Sequence, residues 1–213
     1  MSKLSKAFLV VILILIIDQV LKIWVKTHLS LGEEIVIFEN WFKIHFTENK
    51  GMAFGWQLGG NWGKLILTGF RIIAVSGITV FMVHMSKTKY PFIALLSVGF
   101  VLAGALGNII DSVFYGPLFS QSGAHSVAEF LPEGKGYETF LFGSVVDMLY
   151  FPMIDSFYPE WVPFKGGERL RFFAPVFNIA DSAISVGVAL ILIFRNKFIP
   201  ADEQAEELKP ETK

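Results

Sequence analysis

Phe177-Asn178-Ile179-Ala180-Asp181-Ser182 is a polar island near the start of an apolar stretch running from Ala174 to Phe194. That stretch has the length of roughly 20 residues that a helix needs to cross a bilayer core. An ionisable side chain in a spanning helix costs roughly 2.5 to 3.5 kcal/mol at the centre and less toward an end, so Asp181 marks a functional position. Asn178 lies three residues earlier, which puts both side chains on one helix face, able to point at a single object between helices.

Three further apolar runs, Ala7 to Val25, Leu65 to Met85 and Phe92 to Val113, have a similar length. Of the 213 residues 53% are hydrophobic and 17% charged, and the mean hydropathy is +0.54, which excludes an ordinary soluble domain. The expected fold is an α-helical integral membrane protein with four transmembrane helices, spans at 7–25, 65–85, 92–113 and 174–194, as a single membrane-embedded domain over residues 1–199. Lys3 and Lys6 precede the first run, but Asp18, Gln19 and Lys22 stand where a cleavable signal would need small residues, so the run is read as a retained helix. Lys87 and Lys89 separate the second and third runs, and Arg195 and Lys197 follow the fourth. The positive-inside rule then places both termini in the cytoplasm and the loops 26–64 and 114–173 outside. Residues 200–213 read as a charged cytoplasmic tail. Net charge is −1 and nucleic-acid motifs are lacking, so the expected partners are membrane lipid and peptide, with no nucleic acid. There is no cysteine, and the four histidines are scattered singly, so neither a metal nor a cofactor is expected.

In the first outer loop Phe42, Ile44 and Phe46 alternate with Lys43, His45 and Thr47 after the short apolar run Ile35 to Phe38, the pattern of a small β-hairpin. Trp41, Trp56 and Trp62 suit the headgroup region. Glu48-Asn49-Lys50-Gly51-Met52-Ala53-Phe54-Gly55 follows, and its glycines permit either a substrate contact or a tight return into the second helix. Arg71 lies near an end of the second span and is read as an anchor snorkelling to the headgroups. The third run carries Gly104, Ala105 and Gly107, small enough to admit a neighbouring helix, then Asn108 and Asp111 at the same spacing as Asn178 and Asp181. In the second outer loop Asp147 is embedded in Val145-Val146-Asp147-Met148-Leu149. The aromatic, proline-rich stretch beyond it reads as an interfacial segment resting on the bilayer.

Carboxylates in a membrane serve proton relay, helix–helix hydrogen bonding, or paired-carboxylate hydrolysis. Asn108, Asp111, Asp147, Asn178 and Asp181 collect at one face and only Asp18 lies deeper, which favours surface chemistry over a path across the bilayer. A serine–lysine pair of Ser144 or Ser182 with Lys50 is a weaker alternative, and the spacing alone does not decide between Asp111 and Asp147.

Five segments together carry a resemblance: Asp18-Gln19-Val20-Leu21-Lys22, Asn49-Lys50-Gly51-Met52-Ala53-Phe54-Gly55, Gly104-Ala105-Leu106-Gly107-Asn108-Ile109-Ile110-Asp111, Val145-Val146-Asp147, and Phe177-Asn178-Ile179-Ala180-Asp181-Ser182. In this order, on four spans, the chain resembles the lipoprotein signal peptidase (signal peptidase II) family. The resemblance implies an aspartic endopeptidase of the bacterial inner membrane. It would remove signal peptides from diacylglyceryl-modified prolipoproteins, cutting just before the lipidated cysteine, with its active site near the outer face. It also implies Asp147 and Asp181 as the catalytic pair, with Asp18, Asn49, Gly51, Asn108, Asp111 and Asn178 binding substrate or supporting the site. No metal or cofactor is implied, and the protein is expected to act as a monomer. The alternative is a non-catalytic lipoprotein- or lipid-binding relative.

Two departures stand out. The family usually has an arginine directly after the third-helix aspartate, where this chain has Ser112, and Arg169 or Arg171 are the candidates to replace it. Residues 114–143 and 152–173 also extend the usual pattern, as a lid, a partner contact or tolerated surface loops.

Overall fold

The computed structural model describes residues 1–39, 41–50, 60–88, 90–133, 136–152, 154–172 and 175–198. Helix α1 (Lys3–His28) starts at Ser2, whose hydroxyl accepts a hydrogen bond from the Ser5 N–H at 3.0 Å. Helices α2 (Gly60–Lys87) and α3 (Phe92–Ile110) follow, and α3 continues through a π-helical turn, Asp111–Tyr115, into the short α4 (Gly116–Leu118). The segments Lys3–His28, Trp62–Lys87 and Phe92–Leu118 are each long and apolar enough to cross a membrane.

The fourth apolar stretch enters differently. Val176–Phe177 form a strand, and helix α5 (Ile179–Ile193) begins only after Asn178, whose extended backbone starts the helix. The Asn178 side chain accepts from the Asp181 N–H at 2.8 Å, and Asp181 Oδ2 accepts from the Asn178 N–H at 3.4 Å. This reciprocal cap fixes where the helix starts and what its first carboxylate faces. At ~1.5 Å per residue α5 is about 22 Å long, so the expected span 174–194 is a shorter apolar helix that begins only at Ile179, and by itself it falls short of the ~30 Å hydrocarbon core.

Helix α3 packs against α1, α2 and α5. Its contact with α5 is backbone-close because a Cβ at Gly104 would overlap the Ala180 carbonyl, and one at Gly187 would lie 2.8 Å from the Ser97 carbonyl. Lipid tails supply little hydrophobic drive between helices, so such close approach is what van der Waals packing in a membrane selects. Ala7, Val11, Met82, Met85, Leu95, Val98 and Leu102 fill one core cluster, while Ile12, Leu13, Ile16, Ile17 and Val20 face outward from α1.

The expected hairpin is strands β1 (Glu34–Phe38) and β2 (Phe42–Asn49), and it grows into a four-stranded antiparallel sheet. Strand β3 (Val145–Tyr150) pairs with β2, placing Thr47 opposite Asp147, and also with the Val176–Phe177 strand. Between these two partners the chain forms a separate hairpin of β4 (Ile154–Phe157) and β5 (Arg169–Phe172), which makes Val176–Phe177 β6. Phe157, Trp161 and Phe164 of this hairpin region are exposed, as an interfacial segment requires.

The extension after α4 is packed. Phe119 is fully buried, and Ser122 is held by the Lys26 ammonium at 2.9 Å while donating to Glu48 Oε1 at 2.7 Å. Lys26 also pairs with Glu48, and Lys64 donates to the Phe142 carbonyl. The carbonyls of Ser112, Val113 and Gly116, which the end of a helix leaves without partners, accept from the N–H groups of Gly143, Leu141 and Glu138. The segment therefore buttresses the C-terminal ends of α1 and α3 and delivers the chain into β3.

Candidate active site

Four elements meet where α3 ends. Lys22, fully buried in α1, places its ammonium 2.9 Å from Asp18 Oδ2, 2.8 Å from Asp111 Oδ2 and 3.1 Å from Asn108 Oδ1. The remaining capacity of both carboxylates is also used. Asp18 Oδ1 accepts from the Ala180 N–H at 2.9 Å, and Asp111 Oδ1 accepts from Gln19 Nε2 at 2.9 Å. Asp111 Oδ2 also accepts from the Val146 N–H at 3.2 Å, and Tyr115 donates to Gln19 Oε1 at 3.1 Å. A buried carboxylate survives only when paired and hydrogen-bonded, and these two meet that condition through one lysine. Asp18 thereby clamps the first turn of α5, and Asp111 clamps the strand residue just before Asp147.

Asp147 and Asp181 are held differently. Among the described residues neither pairs with a cation. Asn178 Nδ2 donates to Asp147 Oδ1 at 2.7 Å, and Asn108 Nδ2 donates to Asp181 Oδ1 at 2.8 Å. The two amides are themselves linked, Asn178 Nδ2 lying 3.1 Å from Asn108 Oδ1. Burial, with the Asp181 carboxylate next, pushes Asp147 up to about 7, against the opposing pull of the Asn178 hydrogen bond. Two neighbouring carboxylates cannot both ionise cheaply, so near neutrality such a pair holds one proton between them. One member can then take a proton from water while the other donates to a carbonyl oxygen.

The structure brings Asp18, Asn108, Asp111, Asp147, Asn178 and Asp181 into one hydrogen-bonded network. Asn49 lies at the end of β2, opposite Val145, and Gly51 lies outside the described residues. Of the serine–lysine alternative, Ser182 Oγ donates to the Asn178 carbonyl at 2.9 Å, and Ser144 is buried while Lys50 is exposed. Lys22 and Gln19 were not singled out as site residues, although the spacing of Asp18 and Lys22 on one helix face was a usable signal. Arg71, read as an anchor, is half-buried and donates to Ser112 Oγ at 3.5 Å, so α2 also brings a guanidinium to Ser112, while the side chains of Arg169 and Arg171 lie outside the described ones.

Residues 10–196 match the model of the family described as signal peptidase (SPase) II. The lipoprotein signal peptidase of Porphyromonas gingivalis is 49% identical over 185 residues, covering 86% of this chain and 79% of its own length. That of Amoebophilus asiaticus is 38% identical over 209 residues, covering 97% of this chain and 84% of the relative. A solved bacterial membrane enzyme shares the fold at a TM-score of 0.60 and 22% identity, over 98% of this chain and 95% of that one. With its membrane-length helices and its match over nearly the whole length, the chain belongs to the signal peptidase II family of bacterial membrane peptidases.

Proposed function

We propose that the chain is an aspartic endopeptidase that removes the signal peptide from diacylglyceryl-modified prolipoproteins, cutting just before the lipidated cysteine, with Asp147 and Asp181 as the catalytic pair. The observation that carries this reading is the division of the four aspartates of the network. Asp18 and Asp111 are consumed by Lys22, whereas the buried Asp147 and the half-buried Asp181 are held by asparagine amides and, among the described residues, by no cation. The ionised member of the pair takes a proton from water, and the resulting hydroxide attacks the scissile carbonyl. The protonated member donates a hydrogen bond to the carbonyl oxygen as negative charge develops there and later supplies the proton for the departing amine. Asn108 and Asn178 keep the two carboxylates in register.

The placement of the site supports attack at the membrane surface. The pair lies where α5 starts and the sheet begins, while Lys3 Nζ donates to the Tyr90 carbonyl at 3.2 Å and so joins the N-terminus to the α2–α3 turn at the opposite end. With Lys87, Arg195 and Lys197 also at that end, the termini are cytoplasmic and the pair faces outward. A single domain over residues 1–199, acting as a monomer, suffices for this chemistry.

The test uses purified protein in lipid with one precursor prepared with and without its diacylglyceryl group, and product masses are read. Cleavage of the modified form only, immediately before the lipidated cysteine, is expected. Binding of the modified precursor with no product would make the chain a non-catalytic binder.

A further inference from the structure

Arg71 brings a cation from α2 to the end of α3. It is half-buried in α2, and its Nη1 reaches Ser112 Oγ at 3.5 Å, while Ser112 in turn donates to the Asn108 carbonyl at 2.9 Å. Asn108 is the residue whose amide holds Asp181. Burial strips hydration from the guanidinium, and the charges that oppose this penalty are Asp181 first and Asp111 second, yet among the described residues it forms no direct ion pair. An anchoring arginine would extend to the headgroups, where hydration stabilises it. Keeping it partly dehydrated against α3 requires a compensating negative charge nearby.

The groups facing the aspartate pair are Lys22 and Asp18 from α1, Arg71 from α2, Asn108 and Asp111 from α3, and Asn178 from the α5 cap. Among the described residues Lys22 is paired with Asp18 and Asp111, whereas Arg71 makes no direct ion pair with a carboxylate. We propose that Arg71 is a positioning residue of the peptidase centre, whose fixed positive charge favours the singly ionised state of the Asp147–Asp181 pair. Through Ser112 it also steadies the helix turn that carries Asn108. This rests on the peptidase reading. Charge at short range in a site of low polarity acts far more strongly than in water, so contact with the pair is not required.

The test measures kcat/KM against pH for cleavage of a diacylglyceryl-modified precursor by the full chain in lipid. It compares wild type, Arg71→Met, Arg71→Lys and Arg71→Met/Ser112→Arg. Methionine removes a cation from the bilayer, so it does not threaten the fold, and the double variant regrows a guanidinium from the residue that Arg71 touches. Without a nearby cation the pair ionises at higher pH. Arg71→Met should therefore lose tenfold or more on the acid side, with both limbs of the profile moved up by about one pH unit. Arg71→Lys should keep the wild-type limbs, and the double variant should bring them back. An unchanged profile for Arg71→Met, or an equal loss at every pH that the double variant does not restore, would overturn the proposal. Asp147→Asn, assayed alongside, separates the two levels: cleavage by that variant would undo the peptidase reading itself, whatever Arg71 does.

Discussion

Replacing Lys22 by methionine keeps the length of the side chain and removes only the ammonium. That ammonium lies 2.9 Å from Asp18, 2.8 Å from Asp111 and 3.1 Å from Asn108, with Lys22, Asp18 and Asp111 all fully buried. Breaking one buried ion pair by deleting a partner costs about 3–5 kcal/mol, because the remaining charge has no solvent to stabilise it. Here two carboxylates are left facing each other, so the upper half of that range applies. For a chain of this size about 4–5 kcal/mol lowers a thermal midpoint by roughly 10–15 °C. The midpoint is read from tryptophan emission in lipid–detergent mixtures at pH 7. Adding Asp111→Asn to Lys22→Met should recover part of the loss, since it removes one of the two stranded charges. A Lys22→Met midpoint within about 2 °C of wild type at pH 7 would refute the idea that this lysine holds the two supporting aspartates.

Asn178→Ala removes the donor to Asp147 and the cap of α5 together, and hydrogen bonds to charged groups contribute about 1.5–3 kcal/mol, so cleavage should fall roughly tenfold to hundredfold. Initial rates at saturating substrate test this, and a rate equal to wild type would contradict it. Asp147, pushed up to about 7 by burial, binds a proton in the folded state that it would lose at about pH 4 when unfolded. Its contribution to stability therefore falls as pH rises from about 4 to 7, and Asp147→Asn should denature later than wild type above pH 7. Denaturant titrations at pH 5 and pH 8 read this difference. Gly107→Val would drive a side chain against Asp18 Oδ2, 2.8 Å from where its Cβ must sit, and against the Ala180 methyl at 2.9 Å. Overpacking of this kind costs about 1–3 kcal/mol, and a lower yield of folded, active protein should show it. Asp111→Asn should retain more cleavage than Asp147→Asn, as a supporting residue does.

The membrane helices were legible because long apolar runs with basic flanks leave few alternatives, and the β1–β2 hairpin because its alternation exposes one face. Strand β3 was not, since all six of its residues are buried and a strand covered on both faces carries no alternation. The start of α5 was hidden in the apolar stretch from Ala174, where only the cap formed by Asn178 and Asp181 separates strand from helix. The aspartate pair was reached through the resemblance, because spacing could not rank Asp147 against Asp111. The structure adds a physical ground, the capture of Asp111 by a lysine 89 positions away in sequence. The contact of Arg71 was not legible for a related reason: whether a cation near a helix end snorkels or turns inward depends on what faces it, here Ser112 and the aspartates beyond. The buried Phe119 and the latch of Lys26, Glu48 and Ser122 lie in a stretch with no periodicity, so its packing could not be read in advance.

The most direct test of the central claim is release of the signal peptide from a diacylglyceryl-modified precursor by wild type, Asp147→Asn and Asp181→Asn, each shown to be folded by its thermal midpoint. Cleavage by wild type and loss of at least a thousandfold in each variant are expected, on the order found when a pair acting as one acid–base unit is broken. Wild-type cleavage that persists in either folded variant would contradict the claim.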